Sequence, residues 1–318
     1  MAVYTHIPAE ALVRFLTGFD VGDLVSAKGI AEGVENSNYL VDTTRGRFIL
    51  TLYEKRVAED DLPFFQAMFA HLGARGVPVP RFIPDRDGRT LHRLQDRPAC
   101  LIEFLPGISV DSPTAAQARS AGAAMGRMHA ALADFTLQRP NTLDVPGWRA
   151  LIARCGDGLD TIAPGLKARA TTAADAVAAA WSSDLPTGTI HADLFPDNVL
   201  MRGDTVGGLI DFYFACTDVR AYDLAVMHSA WSFDPAGTPL DPAVGRAIVA
   251  GYESTHPLSD TERAALPVLA RAACLRFFAT RAWDWVNTPA DALVTRKDPL
   301  AYLRRLDWYD AHGHGAFA

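Results

Sequence analysis

The sequence predicts an α+β fold, with an antiparallel sheet in the N-terminal third of the chain and mostly helices after it. Two observations support this. β-rich segments separated by glycine-containing turns, the pattern of consecutive hairpins, lie at residues 21–28, 38–43 and 47–53, and two more at 89–94 and 97–104 bracket the turn Gln95-Asp96. Beyond them the apolar residues follow helical spacing. Because 318 residues exceed what one hydrophobic core usually serves, we predict two lobes, 1–104 and 105–318.

Glycine and proline residues set the ends of the predicted helices. In the first lobe, helices are predicted over residues 5–18, ended by Gly18, and 60–74, ended by Gly76. In the second lobe they are predicted over residues 115–132, 167–181, 241–252, 259–269, 270–286 and 298–308. Gly122 and Gly126 lie on one side of their helix and predict close packing there. The tail around His312 and His314 is predicted to be disordered.

Composition limits the classes of partner. With a net charge of −7 and no Lys/Arg-rich run, the chain is not expected to bind nucleic acid or an anionic membrane surface. The four cysteines are far apart, which predicts reduced thiols rather than a zinc or disulfide framework. Neither a signal peptide nor a long apolar run is evident. We therefore expect a cytoplasmic protein that acts on a small molecule.

Two short motifs contain the residues best suited to catalysis. The first, His191-Ala-Asp-Leu-Phe-Pro-Asp-Asn198, has the Asp-x-x-x-x-Asn spacing of a protein-kinase catalytic loop. The second, Ile210-Asp211-Phe212, follows an apolar segment. Phosphoryl transfer needs a base for the attacking hydroxyl and hard oxygen ligands for Mg²⁺. Asp193 suits the first task, and Asn198 and Asp211 suit the second.

Each motif also has a simpler interpretation. Alone, the first is compatible with an Asx turn at a strand end and the second with an ordinary solvated aspartate. Their order, each behind an apolar segment (189–190 and 208–210), favours a phosphotransferase site.

A polar loop between the first two predicted strands is the candidate phosphate contact. Residues 29–39 contain Gly33, which permits close backbone approach, and Ser37 and Asn38, whose side chains can donate hydrogen bonds. The loop lacks the Gly-Lys-Ser/Thr of a Walker A motif. By itself it is equally typical of a hairpin whose Gly and Asn satisfy turn geometry.

The order of these segments resembles the aminoglycoside phosphotransferase and choline kinase superfamily over nearly the whole chain. It runs from the polar loop and sheet through Leu-Ile-Glu-Phe-Leu-Pro-Gly to the two motifs and Ala221-Tyr-Asp223-Leu-Ala. Within that superfamily, Phe48-Ile-Leu-Thr-Leu-Tyr-Glu-Lys-Arg and Leu209-Ile-Asp-Phe-Tyr-Phe-Ala-Cys resemble the bacterial homoserine kinase branch. The resemblance implies a bilobal protein-kinase-like fold, ATP and Mg²⁺, and phosphorylation of the side-chain hydroxyl of L-homoserine in threonine biosynthesis.

The resemblance also implies roles for single residues. Asp193 is the implied base, Asn198 and Asp211 are the Mg²⁺ ligands, and His191 orients the catalytic loop. Asp223 matches a buried carboxylate that braces that loop. The nucleotide contacts implied are Ser37 and Asn38 for the phosphates and the segment from Glu103 to Leu105 for the adenine edge.

One position departs from the superfamily pattern. The strand that usually carries a phosphate-binding lysine has Thr51 there. Lys55 lies on the same predicted face of the strand and is the first candidate to replace it, with Lys28 as the second. Either is also compatible with a solvated surface lysine.

The acceptor site is predicted on the helix around residues 276–285. Homoserine carries a carboxylate and an ammonium group, so its site needs a cation and an acceptor. Arg276, Arg281 and Asp284 share the polar arc of that helix. The alternative is that Arg281 and Asp284 form an ordinary surface pair. Tyr213, close after Asp211, is the remaining candidate.

Two other functions stay compatible with the sequence. One is phosphorylation of an aminoglycoside or of choline, cations without a carboxylate that have no use for an arginine in the site. The other is a catalytically silent binding protein of the same fold. Thr51 at the usual lysine position favours the silent binding protein. The presence of Asp193, Asn198 and Asp211 is evidence against it.

Overall fold

The computed structural model describes residues 5–30, 36–54, 57–182, 184–288 and 296–318. The chain divides into two compact units, Met1–Pro106 and Gly107–Ala318. The predicted α+β architecture, an N-terminal antiparallel sheet followed by a mostly helical part, is confirmed.

The first unit is built on one antiparallel sheet. Its strands are β1 (Leu24–Gly29), β2 (Ser37–Thr43), β3 (Gly46–Leu52), β4 (His92–Leu94) and β5 (Arg97–Glu103). They are ordered β1-β2-β3-β5-β4. The helices are α1 (Ala9–Leu16) and α2 (Leu62–Ala74). Leu50 and Leu52 of β3 are fully buried in a core that also contains Val41, Leu101 and Leu12 of α1, as expected for alternate side chains on one face of a sheet.

The second unit contains mostly helices. They are α3 (Ala115–Ala131), α4 (Val145–Cys155), α5 (Gly158–Ile162), α6 (Leu166–Ala180), α7 (Arg220–Trp231), α8 (Pro242–Glu253), α9 (Asp260–Asn287) and α10 (Leu300–His312). Capping boxes start two of them, Thr114 with Gln117 at α3 and Ser259 with Glu262 at α9. No helix in the described parts of the chain is long and apolar enough to cross a membrane.

Two short antiparallel pairs of strands lie among these helices. The strands are β6 (Thr187–Ile190), β7 (Val199–Arg202), β8 (Thr205–Leu209) and β9 (Cys216–Val219). β6 pairs with β9, and β7 pairs with β8. The loops that leave them contain the two sequence motifs.

Two predictions for the second unit are wrong. Residues 259–269 and 270–286 do not form separate helices, because the apolar residues Ala270 to Leu275 are buried within one continuous α9. The tail is ordered as a 3₁₀ turn, Gly313–Phe317, in which Ala316 is buried. All four cysteines are buried free thiols.

Candidate active site

The two motifs are brought together by one hairpin. Residues 191–198 (the 191–198 loop) connect β6 to β7, and residues 210–213 (the 210–213 loop) follow β8. β7 and β8 pair with Val199 opposite Leu209. The Ile210 amide donates to the Asn198 carbonyl at 3.0 Å. Asn198 and Asp211 therefore flank the same end of the hairpin.

A buried carboxylate holds the start of the 191–198 loop. Asp223 of α7 has no exposed surface. Its Oδ2 accepts from the His191 amide at 2.8 Å, and its Oδ1 accepts from the Ala192 amide at 2.7 Å. Nε2 of His129 on α3 lies 3.0 Å from Oδ2. Burial alone would raise the pKa of Asp223, but the His129 hydrogen bond, the neighbouring histidines and the His191 amide together lower it, so the carboxylate stays ionised.

Side chains from other elements hold the carbonyl groups of the same loop. Arg276 Nη1 donates to the Ala192 carbonyl, Asn198 Nδ2 to that of Asp193 at 2.8 Å, and Trp231 Nε1 to that of Leu194 at 2.9 Å. Buried backbone groups without partners are costly, so this set of bonds stabilises one loop conformation. The Asp193 carboxylate is thereby presented from a rigid backbone.

His191 links the two loops. The Asp193 amide lies 3.3 Å from His191 Nδ1, which must accept because an amide only donates. His191 Nε2 therefore carries the hydrogen and donates to the Ile210 carbonyl at 3.0 Å. Burial is the main cause that lowers the pKa of His191, so the ring is neutral at working pH. This geometry gives His191 a positioning role rather than one in proton transfer.

Left-handed backbone occurs in both loops. Ala192 has φ 64° and Asp211 has φ 62°, a region that non-glycine residues rarely adopt. Each such residue costs about 1 to 3 kcal/mol and persists only where its surroundings impose it. Here the hydrogen bonds to Asp223 and Arg276 impose it at Ala192.

Side-chain oxygen atoms in the two loops are of the kind that could hold a magnesium ion. Because Asn198 Nδ2 donates to the Asp193 carbonyl, the amide orientation is set and Oδ1 is the atom able to face a cation. Asp211 adds a carboxylate. Amide and carboxylate oxygens are hard ligands, which Mg²⁺ prefers.

The predicted phosphate contacts have partners within the first unit. Ser37 is fully buried, and its hydroxyl donates to Glu54 Oε1 at 2.7 Å. Asn38 is half-buried and its Oδ1 accepts from the Thr51 hydroxyl at 2.8 Å. Thr51 is 1% exposed. At the usual lysine position this chain thus has a short, buried, neutral side chain that braces Asn38.

The other residues predicted for the nucleotide side differ in their surroundings. Gly33 and Lys55 lie outside the described residues. Lys28 is exposed on β1. The Glu103 carboxylate pairs with Arg81 at 2.9 Å, and the hydrogen bond from Arg81 is the main cause that lowers its pKa. Leu105 is half-buried beyond the end of β5.

The predicted acceptor residues differ in their surroundings. Arg276 is 2% exposed and is engaged with the Ala192 carbonyl. Arg281, further along α9, is half-buried and lies with Cζ 4.6 Å from the centre of the Tyr302 ring. Asp284 is exposed, and Tyr213 is half-buried in the 210–213 loop.

Sequence reasoning missed residues that come to the site from distant helices. His129, Trp231 and Tyr302 have no neighbouring motif to mark them. The available signal was weak: His129 and Trp231 have a polar atom inside mostly apolar helical segments, and Tyr302 lies in a helix of mixed composition. Such residues are usually satisfied core residues.

The fold and the site define a protein-kinase-like phosphotransferase. The fold contributes an N-terminal antiparallel sheet and a mostly helical second unit. The site contributes Asp193 on a rigid loop, Asn198 at kinase spacing and Asp211 after the next hairpin. The phosphotransferase enzyme family matches this chain over residues 26–266. The chain therefore belongs to that family.

Individual relatives agree with this assignment. The chain is 51% identical over 316 residues to a homoserine kinase of Gluconobacter oxydans. The matched region covers 99% of this chain and 100% of the relative. It is 52% identical over 309 residues to a homoserine kinase of Methylobacterium nodulans, covering 97% and 96%.

Solved structures of low identity share the fold. Amicoumacin kinase hAmiN, in complex with AMP-PNP, Ca²⁺ and Ami, superposes with a TM-score of 0.70 at 14% identity, covering 98% of this chain and 96% of that one. Choline kinase from Cryptosporidium parvum superposes with a TM-score of 0.68 at 14% identity, covering 96% and 98%.

Proposed function

We propose that this protein transfers the γ-phosphoryl group of ATP to the side-chain hydroxyl of L-homoserine, with Mg²⁺ as the metal ion. The observation that supports phosphoryl transfer is the rigid presentation of Asp193 next to Asn198 and the 210–213 loop. The acceptor is supported by the relatives named above, about half identical to this chain over nearly its whole length.

Asp193 is the proposed base. Its carboxylate is half-buried, and Asn198 Nδ2 is 3.4 Å from its Oδ2, a longer contact than the 2.8 Å bond to its carbonyl. As the acceptor oxygen bonds to the γ-phosphorus, the carboxylate takes the hydroxyl proton. The bond from phosphorus to the bridging oxygen breaks, and ADP leaves with its electron pair.

Asn198 and Asp211 are the residues that would hold Mg²⁺. When bound, the ion neutralises charge on the phosphate oxygens. The backbone bonds of the 191–198 loop keep Asn198 at a fixed distance from the base, and His191 keeps the 210–213 loop beside it. Rigid placement of this kind supplies much of the rate in phosphoryl transfer.

Replacing Asp193 by Ala tests the base. We expect kcat to fall by about 10² to 10⁴ with nearly unchanged ATP affinity, because a positioned base contributes to the transition state rather than to nucleotide binding. Steady-state kinetics and calorimetric ATP titration measure the two effects. Asp197→Ala, an exposed acid in the same loop, is the matched control and should behave like wild type. Wild-type turnover in Asp193→Ala would show that another group accepts the proton.

Acceptor choice is tested by ATP consumption with L-homoserine, choline and kanamycin. We expect L-homoserine to have the highest kcat/KM, because only this acceptor combines a primary hydroxyl with a carboxylate. Faster turnover of choline or kanamycin would refute the proposed acceptor while leaving the phosphotransferase chemistry intact.

A further inference from the structure

The Tyr302 hydroxyl is a buried polar group with no partner in the described part of the chain. Tyr302 of α10 is 0% exposed, and its oxygen makes no hydrogen bond to any described residue. Buried hydroxyls are nearly always hydrogen-bonded, since a missing partner is destabilising. A bound ligand that accepts a hydrogen bond from the Tyr302 hydroxyl would supply the missing partner and explain why the protein has this destabilising group.

Ring contacts fix the direction of this hydroxyl. Phe277 stacks on the Tyr302 ring, with centroids 5.0 Å apart and an interplanar angle of 24°. Arg281 and Arg305 place their Cζ atoms 4.6 and 4.3 Å from the ring centre. Burial raises the pKa of Tyr302 to about 12, so the phenol is neutral and able to donate.

Arg281 provides a cation beside the same ring. Its Nη1 donates to the Asp298 carbonyl at 3.2 Å. Among the described residues no carboxylate forms an ion pair with it. A guanidinium has five N–H donors, so one hydrogen bond to a neutral carbonyl leaves other N–H groups able to bind an anion. Arg305 differs, since it is 3% exposed and both its Nη atoms donate to carbonyls, those of Ser229 and Asp234.

A chain of aromatic contacts connects this pair to the proposed base. Phe195, two residues after Asp193 in the 191–198 loop, meets Phe277 edge to face at 5.0 Å, and Phe277 stacks on Tyr302. The charge of Asp193 acts on both Tyr302 and Arg281. The donors therefore lie in the same neighbourhood as the carboxylate that would receive the acceptor hydroxyl.

We propose that the Tyr302 hydroxyl and the Arg281 guanidinium together bind the carboxylate of the acceptor. Tyr302 is then a residue that determines specificity for α-amino acids with a side-chain hydroxyl. This inference rests on the proposed function, which supplies an acceptor with a carboxylate. The anion satisfies the orphaned hydroxyl and the partly unused guanidinium at once. Charge-assisted bonds of this kind are the stronger class of hydrogen bond.

Tyr302→Phe is the decisive variant because it keeps the ring and removes only the oxygen. With L-homoserine, kcat/KM should fall about 10- to 100-fold, the range for a hydrogen bond to a charged group. With homoserinol, which has no carboxylate, it should stay near the wild-type value. The melting temperature of the ligand-free protein should be unchanged or higher, because an unsatisfied buried hydroxyl is removed. Arg281→Met should also lose the preference for homoserine over homoserinol.

Tyr309→Phe is the matched control on the same helix. The Tyr309 hydroxyl has a partner, His228 Nδ1 at 2.6 Å, so this variant should lower the melting temperature and keep the acceptor preference. If wild type uses L-homoserine but Tyr302→Phe retains the full preference, or loses activity equally on both acceptors, the carboxylate site is refuted. If wild type does not consume ATP with L-homoserine, the proposed function itself fails.

Discussion

Arg276 and Arg281 are two arginines of one helix with different tasks. Both lie on the polar arc that the sequence predicts for acceptor binding. In the structure, Arg276 is buried between the Phe214 and Phe277 rings, with Cζ 5.3 and 4.5 Å from their centres, and its Nη1 donates to the Ala192 carbonyl. We infer that Arg276 positions the 191–198 loop, whereas the partly unused donors of Arg281 face a ligand.

Replacing Arg276 by Met separates these roles. The variant leaves the Ala192 carbonyl without its donor and relaxes a residue held in left-handed backbone, so the base moves from its productive position. Small displacements of this kind cost up to about 100-fold in rate. We expect kcat to fall by about 10- to 100-fold, by the same factor with homoserine and with homoserinol, as measured by steady-state kinetics.

A suitable control for that variant is Arg271→Met, five residues earlier on α9. Arg271 pairs with Asp310 at 2.6 Å, so we expect some loss of stability and near wild-type kcat. A selective loss on homoserine in Arg276→Met would instead place Arg276 in contact with the acceptor carboxylate.

The packing of α3 against α8 depends on glycine. A Cβ at Gly122 would lie well inside van der Waals contact of the Ile248 carbonyl oxygen, and one at Gly251 would meet the Arg119 carbonyl oxygen. The close packing predicted from Gly122 and Gly126 is therefore confirmed. Since α3 also carries His129, this packing fixes one of the partners of Asp223.

Gly122→Ala should destabilise the protein. Alanine favours a helix over glycine by up to about 1 kcal/mol, but here the added methyl meets backbone that cannot move aside, and overpacking costs about 1 to 3 kcal/mol. Chemical denaturation should show a lower free energy of unfolding. Gly73→Ala in α2, where the nearest atom to the new methyl is Arg81 Cγ at 3.8 Å, should be stabilising by about 1 kcal/mol. A stabilised Gly122→Ala would mean that the two helices can separate at little cost.

Secondary structure was predictable where burial leaves a periodic pattern. Strand β2 alternates between more and less buried residues, and helices α6 and α8 bury residues at helical spacing. The predicted positions of the strands of the first unit and of helices α3, α6 and α8 agree with the structure within a few residues. Helix α7 was missed because all residues from Ala221 to Trp231 are buried. A helix surrounded by protein has no polar face and therefore no amphipathic signal.

The candidate site was predictable where its chemistry is local in sequence. Asp193, Asn198 and Asp211 are found by spacing because one hairpin connects them. Arg276 and Trp231 bond to the same loop, and His129 bonds to the Asp223 that holds it. These residues come from three different helices, and the sequence contains no information on which loop they approach. Tyr302 was missed for the same reason: its hydroxyl is unusual only once its surroundings are known.

At the scale of the whole molecule, buried neutral histidines make stability depend on pH. His228 of α7 has no exposed surface, and its Nδ1 lies 2.6 Å from the Tyr309 hydroxyl. Its Nε2 lies 3.1 Å from the Ala316 carbonyl, which only accepts, so Nε2 carries the hydrogen. The C-terminal turn predicted to be disordered is thus attached to the core. Burial lowers the pKa of His228 to about 4 from its ordinary value of 6.5.

The consequence is loss of stability in mild acid. Below about pH 6.5 the unfolded chain takes up a proton on residue 228 that the folded protein does not, so the free energy of unfolding falls as pH falls, until the folded group itself titrates near pH 4. For this pKa difference, the loss from about pH 7 to about pH 5 is roughly 2 kcal/mol. His228→Gln keeps a donor for the Ala316 carbonyl but does not titrate, so its stability should change less over that range by about the same amount. Urea denaturation at both pH values measures the difference.

His314→Gln, in the exposed part of the same turn, should keep the wild-type dependence. An unchanged dependence in His228→Gln would show that other groups cause the acid sensitivity, with His191 and His256, whose pKa values are also lowered by burial, as the next residues to replace.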